Sequence, residues 1–231
     1  MKDVTVVITT CGRTDLLEQT LESFFKFNTY PIEKVIIIED SGKTQDFGKV
    51  RQLVPCELEI IVNEENIGQV ASIDKAYANV KTDYIFHCEE DWEFFDSGFI
   101  EKSFEILETN NKLITVWLRG YNDTKNHAIM INECFDLPNG DHYYLMDGKR
   151  KKHWCGFTWN PGLRRTEDCM LFHPYMTLEV RKKKNGLKIL GEIDLSIYYQ
   201  EAGYRAAITS KIEGYVRHIG GKRHVPLPWQ L

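Results

Sequence analysis

The chain has 231 residues, 42% of them hydrophobic and 27% charged, with a formal net charge of −5. That length and balance suit one large soluble domain, alone or with a short appendage, and the charge gives no reason to expect nucleic acid as a partner. No run approaches the ~20 apolar residues of a membrane-crossing helix, and the opening "MKDVTVVITTCGR" has neither the apolar length nor the small-residue cleavage site of a signal peptide.

In chain order, "DVTVVITT" (3–10) is apolar and β-branched and reads as a buried strand. "TDLLEQTLESFFKF" (14–27) places Leu17, Leu21, Phe24 and Phe25 at helical spacing, with Thr14 or Asp15 available as a cap. "EKVIIIED" (33–40) and "CELEIIVNE" (56–64) are further strands, "IGQVASIDKAYANV" (67–80) is an amphipathic helix, and "DYIFHCEED" (83–91) is a fourth strand. Apolar strands separated by helices predict an α/β fold with a mainly parallel sheet covered on both faces. Ligands of such sheets bind beyond the carboxyl ends of the strands. Thr9 to Arg13, Glu39 to Ser41, Asn63 to Gly68 and Glu89 to Asp91 are therefore expected to converge on one rim.

The second half is less regular. "GFIEKSFEILETN" (98–110) predicts a helix and "LITVWLRGY" (113–121) a strand, while 122–150 is polar and resists placement. "GFTWNPGLRR" (156–165) carries turn chemistry at Asn160-Pro161-Gly162. "GEIDLSIYYQEAGYRAAI" (191–208) reads as an acidic helix start, a helix ending at Gly203 and a strand, and "YVRHIGGKRHVPLPW" closes the chain as a loop. The six cysteines (11, 56, 88, 134, 155, 169) show no C-x-x-C pair, which suits reduced thiols, a cytoplasmic setting and no Cys₄ zinc site. The basic runs "GKRKKH" (148–153) and "RKKK" (181–184) are either solvated faces or contacts for an anionic acceptor or a membrane surface.

Three features carry chemistry. Glu89-Glu90-Asp91 aims three adjacent carboxylates out of a core strand. Such charges repel unless a cation or donor sits among them, and Mg²⁺ or Mn²⁺ commonly bridges a carboxylate and substrate phosphates. The alternative is a solvated turn. His218 in "VRHIGG" lies before a Gly-Gly turn and is suited to complete an Mn²⁺ site with Asp91 and two phosphate oxygens; His224 competes for that role. Glu192 and Asp194 in "GEIDL" stand in a first helical turn, either as caps or as a general base for an attacking hydroxyl. Trp154, Phe157 and Trp159, with Arg164 or Arg165, form either an apolar wall beside phosphate-binding arginines or ordinary packing beneath a turn.

Together these motifs resemble the inverting, sugar-nucleotide-dependent glycosyltransferases of family 2, which have the GT-A fold. "VTVVITTCGRTDLLEQTLESF" resembles that family's first strand, nucleotide loop and helix, and "VIIIEDSG" its aspartate pair. "NEENIG" resembles its Asn-x-Gly turn, "HCEEDW" its Asp-x-Asp motif, and "GEIDLSIYYQEAGYR" the helix that carries its base. The match runs from about residue 3 to 225. Cys11 replaces the usual aromatic of the first loop, and Ile73-Asp74-Lys75 stands where the family has an arginine. The acids are closer to the Glu-Asp-Asp of eukaryotic N-acetylglucosaminyltransferases of this fold, which implies Asp91 as the direct metal ligand and Glu90 facing the ribose. Alignment on Asp194-Leu195 puts Glu192 at the base position.

The resemblance implies a single GT-A domain over 1–231, with 1–95 binding nucleotide and 96–231 binding acceptor and carrying catalysis. It implies hexosyl or deoxyhexosyl transfer from a nucleotide-diphosphate sugar to a hydroxyl on a glycan, lipid-linked or protein acceptor, with Mn²⁺ or Mg²⁺ as cofactor. Thr9, Thr10, Arg13, Glu39, Asp40 and Asn66 join the acid triplet as donor-binding residues. A carboxylate in the Glu39-Asp40 pair suits the imide N–H of uracil or thymine, which favours a UDP-sugar. A sugar-nucleotidyltransferase would show a Gly-rich basic phosphate loop where "TTCGRTD" has one Gly and one Arg. A non-catalytic binding module would not need Glu192 at all.

Overall fold

The computed structural model describes residues 2–124, 129–146, 155–181, 183–184, 187–188, 190–221 and 223. Its first half follows the expected alternation: β1 (Val4–Thr10), α1 (Thr14–Phe27), β2 (Lys34–Glu39), α2 (Gly48–Leu53), β3 (Glu57–Val62), α3 (Gln69–Tyr77) and β4 (Tyr84–Glu89). Strand β1 pairs in parallel with both β2 and β4, and β2 pairs in parallel with β3. Every residue of β1 is buried because apolar side chains leave both of its faces. Val4, Val6 and Ile8 pack with Leu17, Leu21 and Phe24 of α1. Val7 points the other way, into a cluster with Ile73 and Tyr77 of α3.

The chain then forms β5 (Trp92–Phe94), α4 (Phe99–Leu107), β6 (Leu113–Trp117), β7 (Ile129–Asp136), β8 (His142–Met146), β9 (Gly162–Arg165) and α5 (Thr166–Met170). It ends with β10 (Lys183–Lys184), β11 (Leu187–Lys188), α6 (Glu192–Glu201), β12 (Arg205–Thr209) and β13 (Val216–His218). Strand β9 adds antiparallel to β4, giving a sheet of order β3-β2-β1-β4-β9. A second sheet has the order β6-β12-β8-β7. Helix α6 covers the α3 side of the first sheet through Leu195 and Tyr199.

Three expectations change. Arg13, not Thr14 or Asp15, occupies the N-cap of α1, and no side chain caps it. The polar stretch 122–150 contains β7 and β8, joined through Gly140 at φ 83°. Their pairing shifts register between Met130 and Cys134, and that irregularity hides the strand period. The closing segment is partly a strand: β13 pairs antiparallel with β5, His218 opposite Trp92.

Candidate active site

The four rim segments do converge, and carboxylates tie them together. Glu39 is fully buried at the end of β2. It accepts hydrogen bonds from the backbone N–H groups of Gly12 at 2.9 Å and Ser41 at 2.7 Å. Gly12, at φ 67°, turns the chain so that its amide can point inward. Glu39, expected to contact a nucleotide base, is held by these amides and shapes the loop. Asp40 accepts from Asn63 Nδ2 at 2.8 Å and from the amides of Ile67 at 2.9 Å and Gly68 at 2.8 Å. It thus anchors the turn that starts α3, and its Oδ2 takes only the Gly68 bond.

Thr9 and Thr10 are buried at the end of β1. Among the described residues, Thr10 Oγ1 and Asn66 Oδ1 are buried without a hydrogen-bond partner, while Asn66 Nδ2 reaches Cys11 Sγ at 3.5 Å. Buried polar atoms left unpaired cost about 1–3 kcal/mol each, which marks this corner as one that polar ligand atoms would complete. Burial, followed by the charges of Glu39, Asp40 and Glu90, pushes the Cys11 thiol up to about 11.

The acid triplet divides by direction. Glu90 is buried and accepts from Cys11 N at 3.1 Å and from Arg13 Nε at 2.8 Å. Arg13 Nη1 also pairs with Asp91 Oδ2 at 3.0 Å and donates to the Arg223 carbonyl at 2.7 Å. Arg13, expected beside the base, therefore bridges the first loop, the acids and the closing segment. His218 Nε2 lies 3.2 Å from the same Asp91 oxygen, and Ile219 N donates to the Asp91 carbonyl at 2.8 Å. A Cβ on Gly220 would sit 2.4 Å from Asp91 Oδ2, so only glycine lets the segment approach this closely. Burial alone would raise the Asp91 carboxyl, yet His218 and Arg13 together hold it below its ordinary value.

A carboxylate oxygen and an imidazole nitrogen 3.2 Å apart are a donor pair that one Mn²⁺ ion accepts. Among the described residues no group of three or more His, Cys, Asp or Glu is placed to hold an ion. A divalent ion at Asp91 and His218 would therefore take its remaining ligands from phosphate oxygens and water. Magnesium, which prefers an all-oxygen octahedron, suits the pair less well.

Glu89 faces the α3 side, half-buried, and accepts from Gln69 Nε2 at 2.8 Å. Burial first, then the charges of Glu192, Asp91 and Glu90, push its carboxyl up to about 8. Glu192 belongs to another element, and its charge is felt at Glu89. It begins α6, and its Oε1 accepts from Thr158 Oγ1 at 2.8 Å and Trp159 N at 2.5 Å. Asp194 is buried and accepts from Arg181 N at 2.6 Å and Gly191 N at 3.1 Å, closing a capping box. Asp194, also expected among the catalytic residues, has both oxygens on backbone N–H groups at the start of α6.

Phe157 and Trp159 are each 1% exposed and Arg164 is 0% exposed, so packing beneath the turn replaces the sugar-facing wall. Arg165 pairs with Asp168 at 3.0 Å and donates to the Leu113 carbonyl, away from the rim. Trp154, His224, the run 148–153 and Lys182 lie outside the described residues. Thr158 escaped the sequence reading; only the fold brings it to Glu192. The expected six reduced thiols are all unpaired, and no described helix is long and apolar enough to cross a membrane.

No curated protein sequence matches the chain. Among solved structures, S. aureus TarS 1-349 in complex with UDP-GlcNAc is similar, with 16% identity and a TM-score of 0.61 over 97% of this chain and 62% of that one. A mannosyltransferase, PcManGT from Pyrobaculum calidifontis in complex with GDP-Man and Mn²⁺, aligns with 14% identity and a TM-score of 0.56 over 90% of this chain and 54% of that one. At these identities the likeness concerns the GT-A fold, and the chain spans less than two thirds of either relative. The family model described as Glycosyl transferase family 2 matches residues 5–169, from β1 through α5. This chain belongs to glycosyl transferase family 2.

Proposed function

We propose that the chain is a metal-dependent, inverting glycosyltransferase that moves a hexosyl or deoxyhexosyl group from a nucleotide-diphosphate sugar to an acceptor hydroxyl. The observation that carries this reading is Glu192, a carboxylate on α6 held among the described residues through Oε1 alone, whose charge acts on Glu89 of the acid triplet on β4. Inversion requires a base on the face of the sugar opposite the leaving group, and two separate elements supply that arrangement.

Glu192 accepts the acceptor's proton as its oxygen bonds to the anomeric carbon, while the bond from that carbon to the diphosphate breaks and the diphosphate leaves with the electron pair. Asp91 and His218 would hold a divalent ion, and such an ion would neutralise charge on the departing diphosphate. Thr10 and Asn66, with unpaired buried oxygens, complete the nucleoside corner. Asp40, with a lone pair left on Oδ2, accepts from the base, which favours uracil. Residues 1–95 then serve the donor and 96–231 the acceptor, except that His218 returns to the donor side. The similar structures hold UDP-GlcNAc, and GDP-Man with Mn²⁺, which supports a nucleotide-sugar donor.

The nucleotidyltransferase alternative needs free backbone amides to cradle a triphosphate, but Cys11 N and Gly12 N are taken by Glu90 and Glu39. A glycan or lipid-linked acceptor is carried forward, with peripheral membrane contact as one route to the latter. Unpaired thiols support a cytoplasmic site of action. Thermal-shift measurements against a panel of nucleotide sugars, with and without Mn²⁺, test the reading. A UDP-sugar should raise the midpoint with Mn²⁺ present and do so less without it. No shift from any member of the panel would contradict donor binding.

A further inference from the structure

Arg164 on β9 is fully buried beside Ile85 of β4. Its partners among the described residues are neutral. Nη1 donates to the Tyr77 hydroxyl at 2.9 Å, Nη2 donates to the Thr158 carbonyl, and the guanidinium lies 5.2 Å and 5.4 Å from the ring centres of Phe157 and Trp159. Among the described residues no carboxylate pairs with it directly. Tyr77, while accepting from Arg164, lies 3.0 Å from His87 Nδ1. Burial, then the Arg164 charge, lowers the affinity of His87 for a proton, so the imidazole stays neutral and Arg164 is the cation of this cluster.

A buried guanidinium without a counter-charge is strongly unfavourable. An apolar side chain of similar volume would serve packing better. Nε is buried without a partner among the described residues, and the peptide group between Thr158 and Trp159 supplies part of the missing compensation. Its carbonyl accepts from Arg164, and its N–H donates to Glu192 Oε1 at 2.5 Å. Cation and carboxylate therefore occupy the two ends of one peptide dipole, and each polarises it in the same sense. The Thr158 hydroxyl adds a second bond to Glu192 Oε1 at 2.8 Å, leaving Oε2 for the acceptor.

We propose that Arg164 is a positioning residue for Glu192, acting through the Thr158–Trp159 peptide. It strengthens the N–H that holds Oε1, fixes the carboxylate toward the acceptor hydroxyl, and offsets the negative charge beside Glu89. The inference rests on Glu192 being the base. A purely structural Arg164 would affect stability and every kinetic constant together; a positioning one affects turnover through Glu192 alone.

The test measures kcat and donor KM for Arg164→Met, alone and combined with Glu192→Gln, using the nucleotide sugar that gives the largest Mn²⁺-dependent thermal shift. Nucleotide release is the readout. Arg164→Met should lower kcat roughly tenfold to hundredfold, the range expected for a misplaced reacting group, with donor KM held within about twofold. In the Glu192→Gln background it should slow turnover no further. Tyr77→Phe, which removes one guanidinium bond at nearly constant volume, should give a smaller loss in kcat that also vanishes in that background; it keeps the test open if Arg164→Met does not fold. Unchanged kcat in the folded variants, or an equal loss in both backgrounds, would overturn the inference. Full turnover by Glu192→Gln alone would instead overturn the base assignment on which it rests.

Discussion

The two sides of the site treat their carboxylates differently. On the nucleotide side, Glu39 and Asp40 each hold two backbone amides, and Glu90 holds one amide and Arg13. Those acids fasten loops to strand ends. On the acceptor side, Glu192 is held through Oε1 by a segment 33 and 34 residues earlier in the chain. A carboxylate engaged through one oxygen is oriented yet remains able to take a proton. The first arrangement makes a rigid receptacle, and the second, on the function proposed above, makes a reagent.

Removing the metal-facing acid should break the comparison most severely. Asp91→Asn is expected to lower Mn²⁺-dependent UDP affinity on the order of hundredfold, the effect of losing a charged contact worth ~3 kcal/mol. The fold should survive, because Asp91 sits at the rim. Calorimetry with and without Mn²⁺ reads this directly, and an unchanged metal dependence would remove Asp91 from the ion's ligands.

Asp40→Ala probes the fastening role. It leaves Asn63 Nδ2 and the amides of Ile67 and Gly68 without their acceptor. Unsatisfied buried donors cost about 1–3 kcal/mol each, and water relieves part of that. Urea unfolding should show a loss of ~3 kcal/mol. UDP affinity should fall as well, through the lost contact with the base; full stability would contradict the anchoring role, and unchanged UDP affinity would contradict the base contact.

How much of this was legible in the sequence depends on the range of the contacts involved. Strands β1 and β2 were clear because both faces are apolar, so "VTVVITT" and "KVIIIE" read as continuous runs. The rim followed from their carboxyl ends. The roles of its acids did not, since an acid at a strand end looks the same whether it meets a ligand or an amide from a neighbouring loop. Strand β5 has three residues and its partner β13 lies far along the chain, so no local period marks either. Gly220, in the Gly-Gly pair after His218, lies against Asp91, a contact that the sequence alone does not name. Thr158 gave no signal, and Arg164 stood out only as a phosphate-binding or packing residue, because their link to Glu192 runs through a peptide group.

Gly220→Ala sharpens the contrast with a smaller effect. The added Cβ would meet Asp91 Oδ2 at 2.4 Å and force the strand β13 segment outward. His218 would separate from Asp91, and Mn²⁺-dependent UDP affinity should fall by about tenfold, equivalent to ~1.4 kcal/mol. Titration of UDP with Mn²⁺ present and absent measures it. Equal losses under both conditions would indicate damage to the nucleoside corner and not to the ion pair of ligands.

The most direct test of the central claim is turnover by Glu192→Gln beside Asp194→Asn, with donor affinity measured for each. If Glu192 is the base, its variant should lose about 10²–10⁴-fold in kcat with donor binding nearly unchanged, and Asp194→Asn should chiefly lose stability through its capping box. An active Glu192→Gln enzyme beside a folded but inactive Asp194→Asn enzyme would contradict the account and transfer the role to Asp194.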